Sequence, residues 1–265
     1  MAAISRRIIQ LLPHMWIWSI VGACLPLIAF PRPAAPIDIG EAFPSGELRV
    51  GIDAGHAPFA IYNGDRLAGI DVDLANAIGE YLGIPIRLVP LGFDGLYDAL
   101  YADQVDVLIA GLSPDPARQN RVLYTPQYFE SGIVLVVPRS SPIQRMTDLG
   151  GRRVAYEFGS NAHSEVDIWA RRILPFMRMP YQFADHALDA VRIGDADAAV
   201  VDAVTAHLYL RDHPEWQAHM PQVILSIPYV MVLREDRASQ AVVITAALEA
   251  IEESGELAAI IAKWL

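Results

Sequence analysis

Two carboxylates stand where local pattern would present them to a small charged molecule, and two further polar residues, Arg118 and Ser113, carry complementary chemistry without a local pattern that sets them apart. Asp53 closes the apolar run Leu48–Ile52, and Asp202 closes Ala198–Val201. Both runs read as short strands, and a carboxylate at a strand's carboxyl end faces the crevice of an open α/β sheet. Such a group accepts hydrogen bonds from an ammonium or an amide. Arg118 offers the complementary chemistry, because a planar guanidinium holds a carboxylate through two parallel hydrogen bonds. It stands five residues after Ser113, whose hydroxyl is a further donor, in Ala110-Gly111-Leu112-Ser113. Each has an ordinary alternative. Asp53 fits a turn before Gly55, Asp202 an N-cap before Ala203–Leu210, Ser113 a turn with Pro114 and Pro116, and Arg118 a solvated loop.

Ser160 and Asn161 follow Gly159 and precede a helical pattern at Ser164–Leu174. Free N–H groups at such a start suit a carboxylate. Asp71 and Asp73 resemble a catalytic acid pair, but they fit better as a helix N-cap and a first-turn acid beside the helix dipole. His207, His213 and His219 recur every six residues, which does not place them on one helix face. Cys24 is the single cysteine, so neither an intrachain disulfide nor a Cys/His metal spacing exists, and no metal or cofactor is expected. The net charge of −11 argues against a nucleic-acid partner.

These residues need a frame, and the pattern supplies one. Strands are predicted at Leu48–Ile52, Ile86–Pro90, Val105–Ala110 and Gly132–Val137, with helices at Asp71–Leu82 and Tyr97–Ala102. A second series follows: strands at Arg153–Glu157 and Ala198–Val201, and helices at Ser164–Leu174, His186–Ile193 and Ala203–Leu210. Short strands at Gln222–Ser226 and Tyr229–Leu233 flank Pro228, and helices at Ser239–Ser254 and Glu256–Trp264 close the pattern. Alternation of this kind implies α/β layers with mainly parallel sheets, in two lobes rather than one barrel.

The N-terminus reads as an address. Arg6 and Arg7 precede an apolar run from Ile8 to Phe30, followed by the proline-rich stretch Pro31 to Pro36. That pattern predicts export, with the folded part in the periplasm or on the outer face of the cytoplasmic membrane. Val21-Gly22-Ala23-Cys24 resembles a bacterial lipobox, which makes Cys24 a candidate for lipidation. The apolar run continues past it, so an uncleaved membrane anchor and ordinary cleavage stay open. Ser5-Arg6-Arg7-Ile8-Ile9 weakly resembles a twin-arginine signal.

An ordered set of motifs then runs from Glu47 to Leu265: Leu48-Arg49-Val50-Gly51-Ile52-Asp53, His56-Ala57-Pro58-Phe59, Gly69-Ile70-Asp71-Val72-Asp73-Leu74, Phe93-Asp94-Gly95-Leu96 and Val105 through Ser113. Tyr128-Phe129-Glu130-Ser131-Gly132, Asp148 through Ala155, Ala196 through Asp202 and Ala262-Lys263-Trp264-Leu265 complete it. In order and spacing this set resembles family 3 of the bacterial extracellular solute-binding proteins, the polar amino acid binders of ABC importers. The resemblance implies a two-lobed periplasmic-binding-protein type II fold, each lobe a mainly parallel sheet flanked by helices, joined by two crossing strands. Lobe 1 would be 46–130 plus 230–265, and lobe 2 131–229.

The resemblance also implies roles. Arg118 and Ser113 would hold the ligand's α-carboxylate, while the Gly111 carbonyl and Asp202 would hold its α-ammonium. Asp53 would read the ligand side chain. Phe93 and His56 stand where the family places two sandwiching aromatics, and His56 departs from the usual Tyr or Phe. Phe59 belongs to the core. Ser160 fits the Gly-Ser variant of the family's second carboxylate contact, with Asn161 beside it. Glu157 would line the cleft and, with Asp53, make the side-chain end acidic, favouring a cationic or amide-bearing amino acid. The expected function is closure of a monomer around that amino acid and delivery to an ABC importer permease. Two alternatives accompany it. One is a cyclohexadienyl dehydratase-like enzyme, although Ala162 stands where its general-acid glutamate would follow Gly159-Ser160-Asn161, leaving only Glu165 or Glu157. The other is a ligand-sensing accessory subunit.

Overall fold

The computed structural model describes residues 38–265, and strands alternate with helices through that span. The elements are α1 (Ile39–Ala42), β1 (Leu48–Asp53), β2 (Ile61–Asn63), β3 (Arg66–Ala68), α2 (Ile70–Leu82), β4 (Ile86–Leu91), α3 (Leu96–Tyr101), β5 (Val107–Leu112) and β6 (Val122–Pro138). They continue as β7 (Arg153–Glu157), α4 (Asn161–Ala170), β8 (Met177–Tyr181), α5 (Ala184–Arg192), β9 (Ala198–Asp202), α6 (Ala203–Asp212), β10 (Ala218–Arg234), α7 (Ala238–Glu253) and α8 (Glu256–Trp264). Arg6, Arg7 and Cys24, with the whole N-terminal address, lie outside the described residues. Among the described residues no helix is long and apolar enough to cross a membrane.

Eight strands hydrogen-bond in the order β4-β1-β5-β10-β6-β9-β7-β8. The pairs of β1 with β4 and β5, and of β7 with β8 and β9, are parallel. The long β6 and β10, 17 residues each, pair antiparallel along their length and join the two parallel sets. Register then fixes where the strand ends go. The carboxyl end of β5 meets β10 at Leu112–Val230, and the carboxyl end of β9 meets β6 at Ile133–Asp202. Between those points the two long strands cross at Phe129–Tyr229 through Gly132–Ser226. The carboxyl ends of both parallel sets therefore converge on one crossing. At Gly132 (φ 152°) a Cβ would run into the Leu225 carbonyl, so only glycine lets the strands approach this closely.

The core divides the same way. Two apolar clusters draw on β1, α2, β5, the first part of β6, the end of β10 and α7, with Leu48, Ile52, Leu74, Leu108 and Leu248 among them. Two others draw on the second part of β6 and on β7, α4, α5 and β9. Helix α6 serves both: Ala206 and Tyr209 pack with β9 and α5, while Val204 and Leu208 join the first group.

The same clamp appears in each half. Asp106, just before β5, accepts from the Arg49 backbone N–H (2.8 Å), Nε (3.0 Å) and, on its second oxygen, Nη2 (2.6 Å). Asp197, just before β9, accepts from the Arg153 backbone N–H (2.8 Å), Nε (3.3 Å) and Nη2 (2.9 Å). Each clamp ties the first strand of its half to the start of the neighbouring parallel strand, which fixes their register. The Arg153 guanidinium holds Asp197 below the usual carboxylate range.

Several readings change. Helix α4 starts at Asn161 rather than Ser164, because Ser160 caps it. The short strands around Pro228 are one strand, and β6 starts ten residues before Gly132. Register shifts between Tyr229 and Val230 absorb the missing proline donor. Strand β5 lies two residues later than predicted, since Asp106 is occupied by Arg49.

Candidate functional site

Asp53 ends β1 and its Oδ1 accepts from Gly55 N–H (3.1 Å), which turns the chain toward His56. The His56 ring packs against Phe59 (centroids 4.7 Å) and Tyr229 (6.1 Å). Burial lowers the His56 pKa, while Asp53 and Asp202 both pull it upward. One carboxylate comes from each half of the fold, so His56 marks the place where their fields overlap. Phe59 itself is in the core, edge-on to Phe129 and Tyr229.

Asp202 caps α6: its Oδ1 accepts from the N–H groups of Val204 (2.9 Å) and Thr205 (3.1 Å). Its Oδ2 is 3.4 Å from the Ser131 hydroxyl in the crossing strand. The side chain is thus fixed by one oxygen and presents the other toward the crossing. Gly111 occupies the left-handed region (φ 59°) at the end of β5 and donates its N–H to Tyr128 Oη (3.0 Å). A Cβ at Gly111 would lie 2.6 Å from His56 Cε1 and 3.2 Å from the Tyr229 ring. Gly111→Ala is therefore expected to cost about 1–2 kcal/mol of stability from the backbone alone and to push His56 out of place. Urea unfolding with a ligand titration checks this; an alanine variant as stable and as active as the parent would contradict it.

Asp53, His56, Gly111 and Asp202 thus form one cluster at the crossing. The other candidates lie on neighbouring elements. Arg118 lies beyond β5, with Nε donating to Asp115 Oδ2 (3.1 Å) and its guanidinium carbon 4.0 Å from the Tyr97 ring centroid. Ser113 is the first residue after β5 and is half-buried. Phe93 is 60% exposed on a 3-10 turn after β4 and forms no ring contact with His56. In the second half, Glu157 ends β7 beside Tyr181. The Ser160 hydroxyl donates to the Glu157 carbonyl (2.8 Å) and accepts from His163 N–H (3.2 Å), and Asn161 is exposed at the first position of α4. The leading N–H groups of that helix have no intrahelical acceptor, as at any helix start.

Three residues of the cluster were not anticipated as site residues. Tyr229, Ser131 and Tyr128 lie inside apolar strands, and nothing local distinguishes them from core. Tyr229 is an aromatic neighbour of His56 beside Phe59. Asp71 also departs from expectation: the α2 N-cap is Gly69, and Asp71 is wholly buried, with Oδ1 accepting from Tyr128 Oη (2.8 Å). Asp73 remains a first-turn acid and accepts from Lys263 Nζ (2.7 Å) and Trp264 Nε1 (2.8 Å).

Polar groups gathered at converging strand ends, between two α/β halves that share two crossing strands, form the candidate site. The chain belongs to the bacterial extracellular solute-binding proteins, family 3, whose model matches residues 48–265. It is 25% identical to the arginine-binding extracellular protein ArtP of Bacillus subtilis (strain 168), over 94% of this chain and 97% of that protein. Its fold matches the L-cystine solute receptor of Neisseria gonorrhoeae in the unliganded open conformation, with a TM-score of 0.76 at 21% identity, covering 85% of this chain and 95% of the other. An ancestral arginine-binding protein bound to arginine matches with a TM-score of 0.55 at 30% identity, covering 83% and 98%.

Proposed function

We propose that this protein binds a polar, cationic or amide-bearing α-amino acid between two lobes, 46–130 plus 230–265 and 131–229, and hands it to an ABC importer permease. The observation that carries the reading is the placement of Asp53, His56, Gly111 and Asp202 at the converging strand ends: Asp53 turns the chain toward His56, Gly111 packs against the His56 ring, and Asp202 Oδ2 faces the crossing. Asp202 would take the α-ammonium, Asp53 with Glu157 would favour a cationic or amide-bearing side chain, and Arg118 with Ser113 would supply the opposite charge for the α-carboxylate. Glu157, Ser160 and Asn161 approach from the other lobe, and Phe93 offers a ring at the mouth. The names of the arginine-binding relatives point the same way. A ligand that bridges both lobes favours the closed state, because it makes its full set of contacts only there. The protein acts as a monomer and binds without chemistry. Lipidation at Cys24 or a retained N-terminal anchor would keep it near its permease.

A thermal-shift screen against the amino acids tests this. A ligand at 100 times its Kd adds about 2.7 kcal/mol of stability. Arginine, lysine, histidine or glutamine is expected to raise the melting temperature, whereas glutamate and aspartate are not. A chain that no α-amino acid stabilises would refute the proposal.

A further inference from the structure

Asp71 serves none of the purposes its sequence position suggests, and a buried carboxyl without a cation beside it is costly. Its partner Tyr128 Oη, 2.8 Å away, is also the acceptor for Gly111 N–H at 3.0 Å. The hydrogen bonds therefore run from Gly111 in β5, through Tyr128 in β6, to Asp71 in α2. They start at the residue whose left-handed backbone packs directly against His56. Asp71 Oδ2 is buried with no hydrogen-bond partner among the described residues. The groups that act on this carboxyl are Tyr128 from β6, the Gly111 peptide from β5, Asp53 from β1 and Tyr229 from β10, and none is a cation.

We propose that Asp71 is a positioning residue of the binding site: through the Tyr128 hydroxyl it holds the Gly111 peptide in its turn, and it responds to charge placed at Asp53. The proposal rests on the reading of this cleft as a site for a cation-bearing amino acid. Burial, with a smaller push from Asp53, holds the Asp71 carboxyl up at about 7 against the pull of Tyr128 and Gly111. A ligand cation beside Asp53 offsets the push from that residue and favours ionised Asp71. The ionised form accepts more strongly from Tyr128, which firms the Gly111 peptide. Binding then expels a proton, so affinity weakens as pH falls below the Asp71 pKa, by up to tenfold per pH unit for one proton. His56 titrates with the same sign, but from a pKa below its ordinary value.

The full chain, labelled with 15N-glycine, tests the relay without ligand. The Gly111 amide is expected to shift with a midpoint near about 7 in the parent and not in Asp71→Asn or Tyr128→Phe. Binding of L-arginine is then measured by calorimetry from pH 5.5 to 8.5. Tyr128→Phe, which removes one oxygen, is expected to raise Kd about tenfold, the effect of losing a hydrogen bond to a charged group. Asp71→Asn is expected to flatten the upper pH step, and His56→Gln to leave it. Variants whose Kd and pH profile match the parent's would overturn the proposal, as would a Gly111 amide that titrates equally in Asp71→Asn. If the parent binds no amino acid while the Gly111 amide titrates as expected, the relay stands and the functional reading fails.

Discussion

Arg118→Ala is expected to remove measurable binding of every α-amino acid. Truncating one member of a desolvated, hydrogen-bonded charge pair costs about 2–5 kcal/mol, much of it from the partner charge left unpaired. At 1.4 kcal/mol per decade this is roughly one and a half to three and a half orders of magnitude in Kd. Asp115 and Tyr97 already restrain the guanidinium before ligand arrives, so little ordering remains to oppose binding. Arg118→Lys should recover little, because an ammonium cannot make two parallel bonds to a carboxylate. The fold should scarcely register either change, since Arg118 is half-exposed in a loop; the expected stability loss is no more than about 1 kcal/mol. Calorimetry and thermal melts on the same samples separate the two effects. An alanine variant that binds within threefold of the parent would remove Arg118 from the site.

Asp202 requires a paired experiment, because it caps α6 and faces the crossing. Asp202→Ala removes both functions and should cost about 0.5–2 kcal/mol of stability through the lost cap. Asp202→Asn keeps the cap, since asparagine caps about as well as aspartate, and removes only the charge. The asparagine variant is therefore expected to melt close to the parent while its Kd for the cationic amino acid rises about a hundredfold. That figure corresponds to about 2.8 kcal/mol, inside the range for truncating a buried charge pair. If Asp202→Asn binds normally and only Asp202→Ala fails, the residue acts through the helix alone.

What was legible in the sequence follows from what local pattern encodes. Strands β1, β7 and β9 are short apolar runs that stop at an acid, so both the element and its functional end are visible at once. Strand β8 was missed because it is an edge strand carrying Arg178 and Pro180, with too few apolar positions to show a period. The lengths of β6 and β10 were missed because Pro126 and Pro228 argue against a continuous strand, and only the pairing of the two strands with bulges overcomes that. Asp71 was misread for a different reason: an acid at a helix start resembles a surface cap, and whether it is buried depends on β5 and β6, which are far away in sequence. Arg118 has no local signature, and motif order alone singles it out.

The path of the chain also bears on how the protein is made. The core that holds Leu48 and Val50 includes Ile244, Leu248, Ile251 and Leu257 from α7 and α8. Gln240 Nε2 donates to the Ala42 carbonyl (2.9 Å), and Trp264 Nε1 donates to Asp73, so the last helices are stitched to the first elements. After β9 the second half still needs α6 and the first part of β10, while the first half lacks its closing strand and both final helices. The half that begins the chain is thus the last to complete, and its contacts span almost the full length of the described polypeptide. Long-range closure of this sort slows folding.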